Sequence, residues 1–410
     1  MKKIYIVLAV VSMGLMSCTE IIPEFLPFFE DKQIEEQITL KSNFVLKASA
    51  NGTLWCTSPA SKKIYWLKDG VINSIPMYKH YPYDDYGDIL GNDFFILTSK
   101  ELFRVNANSV KTYPVPNTEF DNAYYIKATS SNLILFPNTG ELGNRYWLFS
   151  DYGWTECNYP ASMPEELSYN LRLQGQFNNK YILYRNFSAG PTYIYNFESK
   201  QLVSFEYVAQ DQYGSTVNYS FGNQSLDENG NGYTIAGNKI AKFNFSTQQV
   251  EELIVSIPGV ANPTLDKLSV SAKGDIWMIF HNEEQSYFLY KYGANSYTSF
   301  QSPYTSLNNY YNNDIINMYA DKSGKVWIYP VHSDMFETRS VHCYGTTGLF
   351  AEQSLDNSWH WGSIFIQEDG VGNFWVYALN SWDFRMYRFN GSVWSDYSRY
   401  FYIHHYIDLY

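Results

Sequence analysis

The sequence predicts an all-β chain built from one repeated unit, and three observations predict it. Hydrophobic residues make up 45% of the 410 residues and aromatic residues 19%, with 38 tyrosines, a composition that suits pleated surfaces better than helices. Helical periodicity is hard to find anywhere after residue 36. A glycine turn followed by an aromatic-centred strand recurs instead. Four copies are plain: Gly52-Thr53-Leu54-Trp55, Gly274-Asp275-Ile276-Trp277, Gly324-Lys325-Val326-Trp327 and Gly372-Asn373-Phe374-Trp375. Gly91-Asn92-Asp93-Phe94 and Gly230-Asn231-Gly232-Tyr233 keep the glycine and an aromatic, while Ser130 to Leu133 and Asn178 to Tyr181 are degenerate. The anchors thus fall at 55, 94, 133, 181, 233, 277, 327 and 375. Their spacing is that of β-propeller blades, ~40 to 50 residues.

Each repeat supplies four strands. An innermost strand precedes the anchor, as in Phe44-Val45-Leu46, Leu268-Ser269-Val270, Ile316-Asn317-Met318 and Ile364-Phe365-Ile366. The anchor strand follows, then a third with apolar alternation, such as Ile64-Tyr65-Trp66-Leu67, Leu102-Phe103-Arg104-Val105 and Met386-Tyr387-Arg388-Phe389. After a short polar turn comes an outer strand, for example Val110-Lys111-Thr112-Tyr113 or Val393-Trp394-Ser395-Asp396-Tyr397. The expected domain is therefore a propeller over residues 37–410 with eight four-stranded blades, or seven if the repeat near Leu133 merges with a neighbour. One such sheet is apolar on both faces, so it survives only between two others. Trp55, Trp277, Trp327 and Trp375 are expected in the wedges between blades. The glycine belongs to the turn between first and second strands, where a positive φ is often required. Ile38-Thr39-Leu40 is expected to close the ring as a strand added to the last blade, because joining the termini removes exposed edges. The tail from Phe401 to Leu409 is a further strand candidate.

The N-terminus carries an address. Met1-Lys2-Lys3 precedes the apolar run from Ile4 to Met16, a charged and then a hydrophobic region of the kind a secretion signal uses. Thirteen residues are too few to cross a hydrocarbon core as a helix, which takes roughly 20. Leu15-Met16-Ser17-Cys18 resembles the lipobox of bacterial lipoproteins. That resemblance implies removal of residues 1–17, acylation of Cys18, a tether over 18–36, and an outer-membrane lipoprotein at the cell surface or on the periplasmic face. Several acyl chains together make a strong anchor, at ~0.8 kcal/mol per buried CH₂. Glu20 and Glu24 lie close to the cysteine, as acidic residues do in surface-export signals of some Gram-negative bacteria.

The pattern D/S-x-x-G-x-Ω-W, clearest from Asp321 to Trp327, is similar to the two-component-regulator type of propeller repeat found in sensor ectodomains and secreted lipoproteins. The resemblance implies the same propeller over nearly the whole mature chain. The chain departs from the sensors in showing no membrane helix, kinase or DNA-binding region, so a signalling role is not implied. The eight-fold count is also similar to quinone-cofactor dehydrogenases, but their vicinal cysteine pair is missing and no cofactor is expected.

Composition narrows function further. The formal charge is −12, and it becomes more negative once Lys2 and Lys3 leave with the signal. Phosphate backbones demand clustered Lys and Arg, so a nucleic acid is not an expected partner. Besides Cys18 there are Cys56, Cys157 and Cys343, without metal-site spacing, and at most one disulfide is possible. No G-x-S-x-G, HExxH or phosphate-loop motif occurs. Asp227-Glu228-Asn229-Gly230-Asn231-Gly232 has a faint calcium-loop look but lacks the distal Glu and coincides with a repeat turn. No metal is expected.

Function is expected on the loops that join blades and that join second to third strands, since both leave from one face and loops on a rigid scaffold carry function. There the chain places Tyr81, Tyr83, Asp84 and Asp85, then Tyr310 and Tyr311, then Trp359, His360 and Trp361, and Trp382. His281, Glu283, Glu284, His332 and Asp334 occupy further second-to-third-strand loops. Rings beside amides and carboxylates suit a pyranose, and tyrosine and tryptophan also dominate protein interfaces. Tyrosine is common throughout the chain, whereas two tryptophans in one loop are costly to expose. Two functions follow as expectations: a binding or scaffold module for a glycan or an envelope protein, and a glycan hydrolase or lyase using carboxylates or histidines of that face.

Overall fold

The computed structural model describes residues 38–40, 44–58, 63–76, 87–98, 101–116, 124–128, 132–137, 145–158, 172–177, 181–185, 192–196, 199–210, 216–219, 226–236, 239–254, 264–281, 287–293, 296–300, 316–330, 340–355, 363–379 and 384–403. Among these the fold is all-β, and the only helical element is a 3-10 turn at Ser398–Tyr400. Four-stranded antiparallel meanders occupy 45–76 (sheet 1), 87–114 (sheet 2), 124–158 (sheet 3), 172–205 (sheet 4), 264–300 (sheet 6), 316–354 (sheet 7) and 363–396 (sheet 8). Sheet 5, at 231–254, has three strands. Every predicted anchor from Trp55 to Trp375 falls in a different sheet, the Leu133 copy in sheet 3. The architecture is a β-propeller.

Sheet 5 departs from the expected four strands. The interval from Tyr181 to Tyr233, the longest between anchors, contains a separate hairpin, Tyr207–Gln210 against Thr216–Tyr219. Those residues pair with each other, and among the described residues the innermost position of sheet 5 shows one bridge, between Leu226 and Gly232.

Apolar side chains decide how the sheets stand together. Eight buried clusters can be followed among the described residues, and each joins one sheet to the next. Phe95 and Leu102 of sheet 2 meet Leu133 and Trp147 of sheet 3. Trp277 of sheet 6 meets Met318 and Val326 of sheet 7. Trp327 of sheet 7 meets Phe374 and Val376 of sheet 8, with the two rings stacked at 4.3 Å. The last cluster returns to the start, packing Trp375 and Met386 against Leu46, Leu54 and Cys56. Trp55, Trp277, Trp327 and Trp375 are 0–2% exposed, in the core as expected. Burying an aromatic side chain of this size removes up to about 250 Å² from water, roughly 6 kcal/mol of transfer free energy.

The turns before the anchors solve a polar problem. Asp369 Oδ1 accepts the backbone N–H groups of Val371 and Asn373, and its Oδ2 accepts from Asn373 Nδ2 and Trp375 Nε1 at 2.7 and 3.2 Å. Asp321 serves Lys325 N and Trp327 Nε1 in the same way. The chain thereby turns back on itself while the buried indole N–H keeps a partner. Asp227 spends its carboxylate on Asn229 N, Asn231 N, Asn231 Nδ2 and the Tyr233 hydroxyl, which makes this segment the repeat turn. The glycines of six copies have φ between +62° and +91°, the left-handed region expected from the motif.

Innermost strands present an unpaired edge to the axis, and side chains of the preceding sheet cap it. Ala128 N donates to Asp88 Oδ2, Ala320 N to Ser269 Oγ, and Ala48 N to Gln367 Oε1. Cys56, Cys157 and Cys343 carry free thiols, with Cys56 and Cys343 buried.

Closure differs from expectation. Ile38–Leu40 pairs in parallel with Phe401–Ile403, not with the outer strand of the last sheet. The reason is burial: Ile38 and Phe401 share one apolar cluster with Leu54 and Trp375, so both terminal strands wedge between the first and last sheets. Replacing Asp369 by Ala should leave the Trp375 indole and two turn amides without acceptors. We expect a loss of about 2–4 kcal/mol, read as a lower urea midpoint with an unchanged m-value.

Candidate functional site

In each meander the first-to-second and third-to-fourth turns lie at one end of the sheet. The second-to-third links and the chain onward to the next sheet leave from the other. The Asp and Gly turns mark the first end. The strand ends at Pro76 and Gly87, Phe300 and Ile316, Ser354 and Ser363, and Leu379 and Phe384 lie at the second. Those ends flank the stretches in which sequence reasoning placed its binding candidates. Tyr81, Tyr83, Asp84, Asp85, Tyr310, Tyr311, Trp359, His360, Trp361 and Trp382 lie outside the described residues, as do Cys18, the segments 1–17 and 18–36, Glu283, Glu284, His332 and Asp334.

At this loop-bearing end the described residues include a largely buried ionisable pair. His281 closes the second strand of sheet 6, Ile276–His281, and Asp266 lies in its innermost strand, Thr264–Val270. The register between these strands shifts between Leu265 and Lys267. That bulge adds Asp266 as an extra residue on the inner strand and turns its carboxylate toward the histidine. Both carboxylate oxygens lie 2.7 and 2.8 Å from His281 Nδ1. The Asp266 side chain is 4% exposed and that of His281 16%. Burial holds the Asp266 carboxyl above the usual carboxylate range, while the His281 hydrogen bond and the Lys267 charge pull it back down.

The chemistry of this pair is that of an oriented imidazole. The Asp266 carboxylate faces Nδ1 and sets the orientation of the ring. Sequence reasoning had set His281 beside Glu283 and Glu284 as a loop residue and missed Asp266. The available signal was an acid within an innermost strand, TLDKLSV, which the anchor turn joins to the strand that His281 closes. Among the described residues no three His, Cys, Asp or Glu side chains come together to hold a metal ion. No helix among them is long and apolar enough to cross a membrane.

No protein-family model matches this chain, and no curated protein matches it. Solved structures do. A virginiamycin B lyase from Staphylococcus aureus is similar at 14% identity and a TM-score of 0.35, over 73% of this chain and 93% of that one. The extracellular domain of a hybrid two-component system from B. thetaiotaomicron is similar at 13% identity and a TM-score of 0.37, over 88% of this chain and 53% of that one. Hsv2 from Kluyveromyces lactis is similar at 10% identity and a TM-score of 0.37, over 76% of this chain and 99% of that one.

Asp266 gives the site a signed pH test. Its folded pKa is raised, so ionising it opposes folding, and stability from this group is gained as pH falls through the folded value. Removing the imidazole in His281→Ala takes away the hydrogen bond that restrains the shift. Carboxyl-carbon NMR titration should show Asp266 above the ordinary value of about 3.9 in the parent protein and higher still in the variant.

Proposed function

We propose that this protein is a lipid-anchored, extracytoplasmic binding or scaffold module whose loop-bearing end takes a glycan or an envelope protein. The observation that supports it most is the division of labour between the two ends of the sheets. At one end short turns bind their own polar groups in closed sets, as at Asp321 and Asp369. At the other end the sequence sets Tyr, Trp, His, Asp and Asn in long intervals between rigid strands. A stiff ring with aromatic and amide side chains on one rim suits recognition of pyranose faces or of a protein surface.

Anchoring follows from Leu15-Met16-Ser17-Cys18, with acyl chains on Cys18 holding the propeller at the outer membrane, at its surface or on its periplasmic side. Changing Cys18 to Ser should abolish incorporation of labelled palmitate and release the protein from membrane fractions. The acidic balance makes nucleic acid a poor partner.

A second reading is a glycan hydrolase or lyase, and the Asp266–His281 pair is the observation that favours it. The two readings separate experimentally. A glycan array and an envelope pull-down should give saturable binding, and Trp359→Ala with Trp361→Ala should weaken it at least about tenfold, equivalent to ~1.4 kcal/mol. Incubation with the bound glycan should release no product. Product formation lost in His281→Ala would move the assignment to the enzyme, and binding unaffected by the double tryptophan change would remove the proposed face.

A further inference from the structure

The turn-bearing end has a feature of its own, independent of the reading above. A cleft of about 300 Å³ opens between sheets 1 and 2, and Asn51, Trp55, Lys68, Asp93 and Asn106 are among the residues that line it. Its floor is Trp55, an anchor whose indole is not served by its own turn. Trp327 and Trp375 donate their indole N–H to Asp321 and Asp369, six residues earlier, and Trp277 donates to the carbonyl of Gly324. Ser49 stands at the corresponding place before Trp55. Its hydroxyl is spent within the turn, on Asn51 Oδ1 at 2.7 Å and the Thr53 carbonyl at 3.0 Å. The Trp55 side chain is 2% exposed, and its Nε1 has no hydrogen-bond partner among the described residues. Buried donors are normally satisfied, so this one points to an acceptor that comes from outside the chain.

The other polar groups of the cleft are biased the same way. Asn51 Oδ1 also accepts from Thr53 N. Asn106 Oδ1 accepts from the backbone of Asn108 and Ser109, and the Asp93 carboxylate is paired with Arg104. With their acceptors committed, Asn51 and Asn106 offer amide N–H groups, and Lys68 adds an ammonium on the rim. Such a set of donors fits an oxyanion. We propose that the cleft between sheets 1 and 2 binds an oxyanion, a carboxylate, sulfate or phosphate that is either free or borne on a sugar. Trp55, Asn51, Asn106 and Lys68 are its donors.

Indole N–H NMR on the full-length protein tests this, with Trp55 assigned by its loss in Trp55→Phe. Sodium sulfate, inorganic phosphate, glucuronate and neutral glucose are titrated separately. A saturable shift of the Trp55 signal is expected with at least one anion, weakened fivefold or more in Lys68→Gln at an unchanged melting temperature. Response to sulfate or phosphate alone upholds a site for the free ion, and a stronger response to glucuronate upholds one for an acidic sugar. Lack of a saturable shift with every anion, an equal response to glucose, or an undiminished response in Lys68→Gln would overturn the proposal. Because glycan capture by the loop-bearing end is scored separately, either reading can fail while the other stands.

Discussion

The burial of apolar faces between neighbouring sheets is the constraint on which this molecule depends. A meander such as Leu54–Ser58 beside Lys63–Lys68 presents large apolar groups to both sides, Leu54 and Tyr65 toward sheet 8 and Trp55 and Trp66 toward sheet 2. Neither face is tolerable in water, and no single partner covers both. Adjacent sheets around an axis are the arrangement in which each cover is itself covered. The tryptophan anchors and their Asp or Ser turns follow from it, because a wedge that holds an indole must also satisfy its N–H.

Much of this was legible in the residues. The turn glycine and the aromatic three positions on located six of the eight sheets, since both belong to one local unit and their chemistry is read without knowing any neighbour, and the repeat spacing located sheets 3 and 4. Pairing beyond the unit was harder to read. The hairpin at 207–219 falls in the longest interval between anchors, from Tyr181 to Tyr233, and nothing local in its residues names its partner. The terminal strands were recognised individually, while their mutual parallel pairing depends on the cluster that buries Ile38 with Phe401. The pairing of Asp266 was hard to read for a similar reason: the acid shows in the sequence, but a bulge, which leaves no signature in spacing, brings it to His281. The aromatic candidates of the loop-bearing end are known from sequence as residue types in particular intervals, and the described strands fix only where those intervals begin and end.

Small departures from the repeat are informative because the repeat is otherwise so regular. Where aspartate precedes the anchor by six residues, the turn is self-sufficient. Serine at that place leaves the indole to find another acceptor: Trp277, behind Ser271, finds the Gly324 carbonyl, and Trp55, behind Ser49, finds none among the described residues. The caps on the inner edges show the same logic with different means, since aspartate, serine and glutamine each serve one backbone amide of the following sheet. Uniform geometry with variable polar residues lets one scaffold differ locally without altering its packing.

The parallel clasp between Ile38–Leu40 and Phe401–Ile403 also sets the order in which the molecule can be finished. Leu46, Leu54 and Cys56 are made early, yet the Trp375, Met386 and Phe401 groups that cover them are made more than 300 residues later. Throughout synthesis the leading sheet must therefore wait with a greasy flank bare, and contacts of such long range form slowly. A protein built this way places its greatest risk of misassembly at the first sheet, and it depends on whatever escorts nascent chains to shield that flank until the tail arrives.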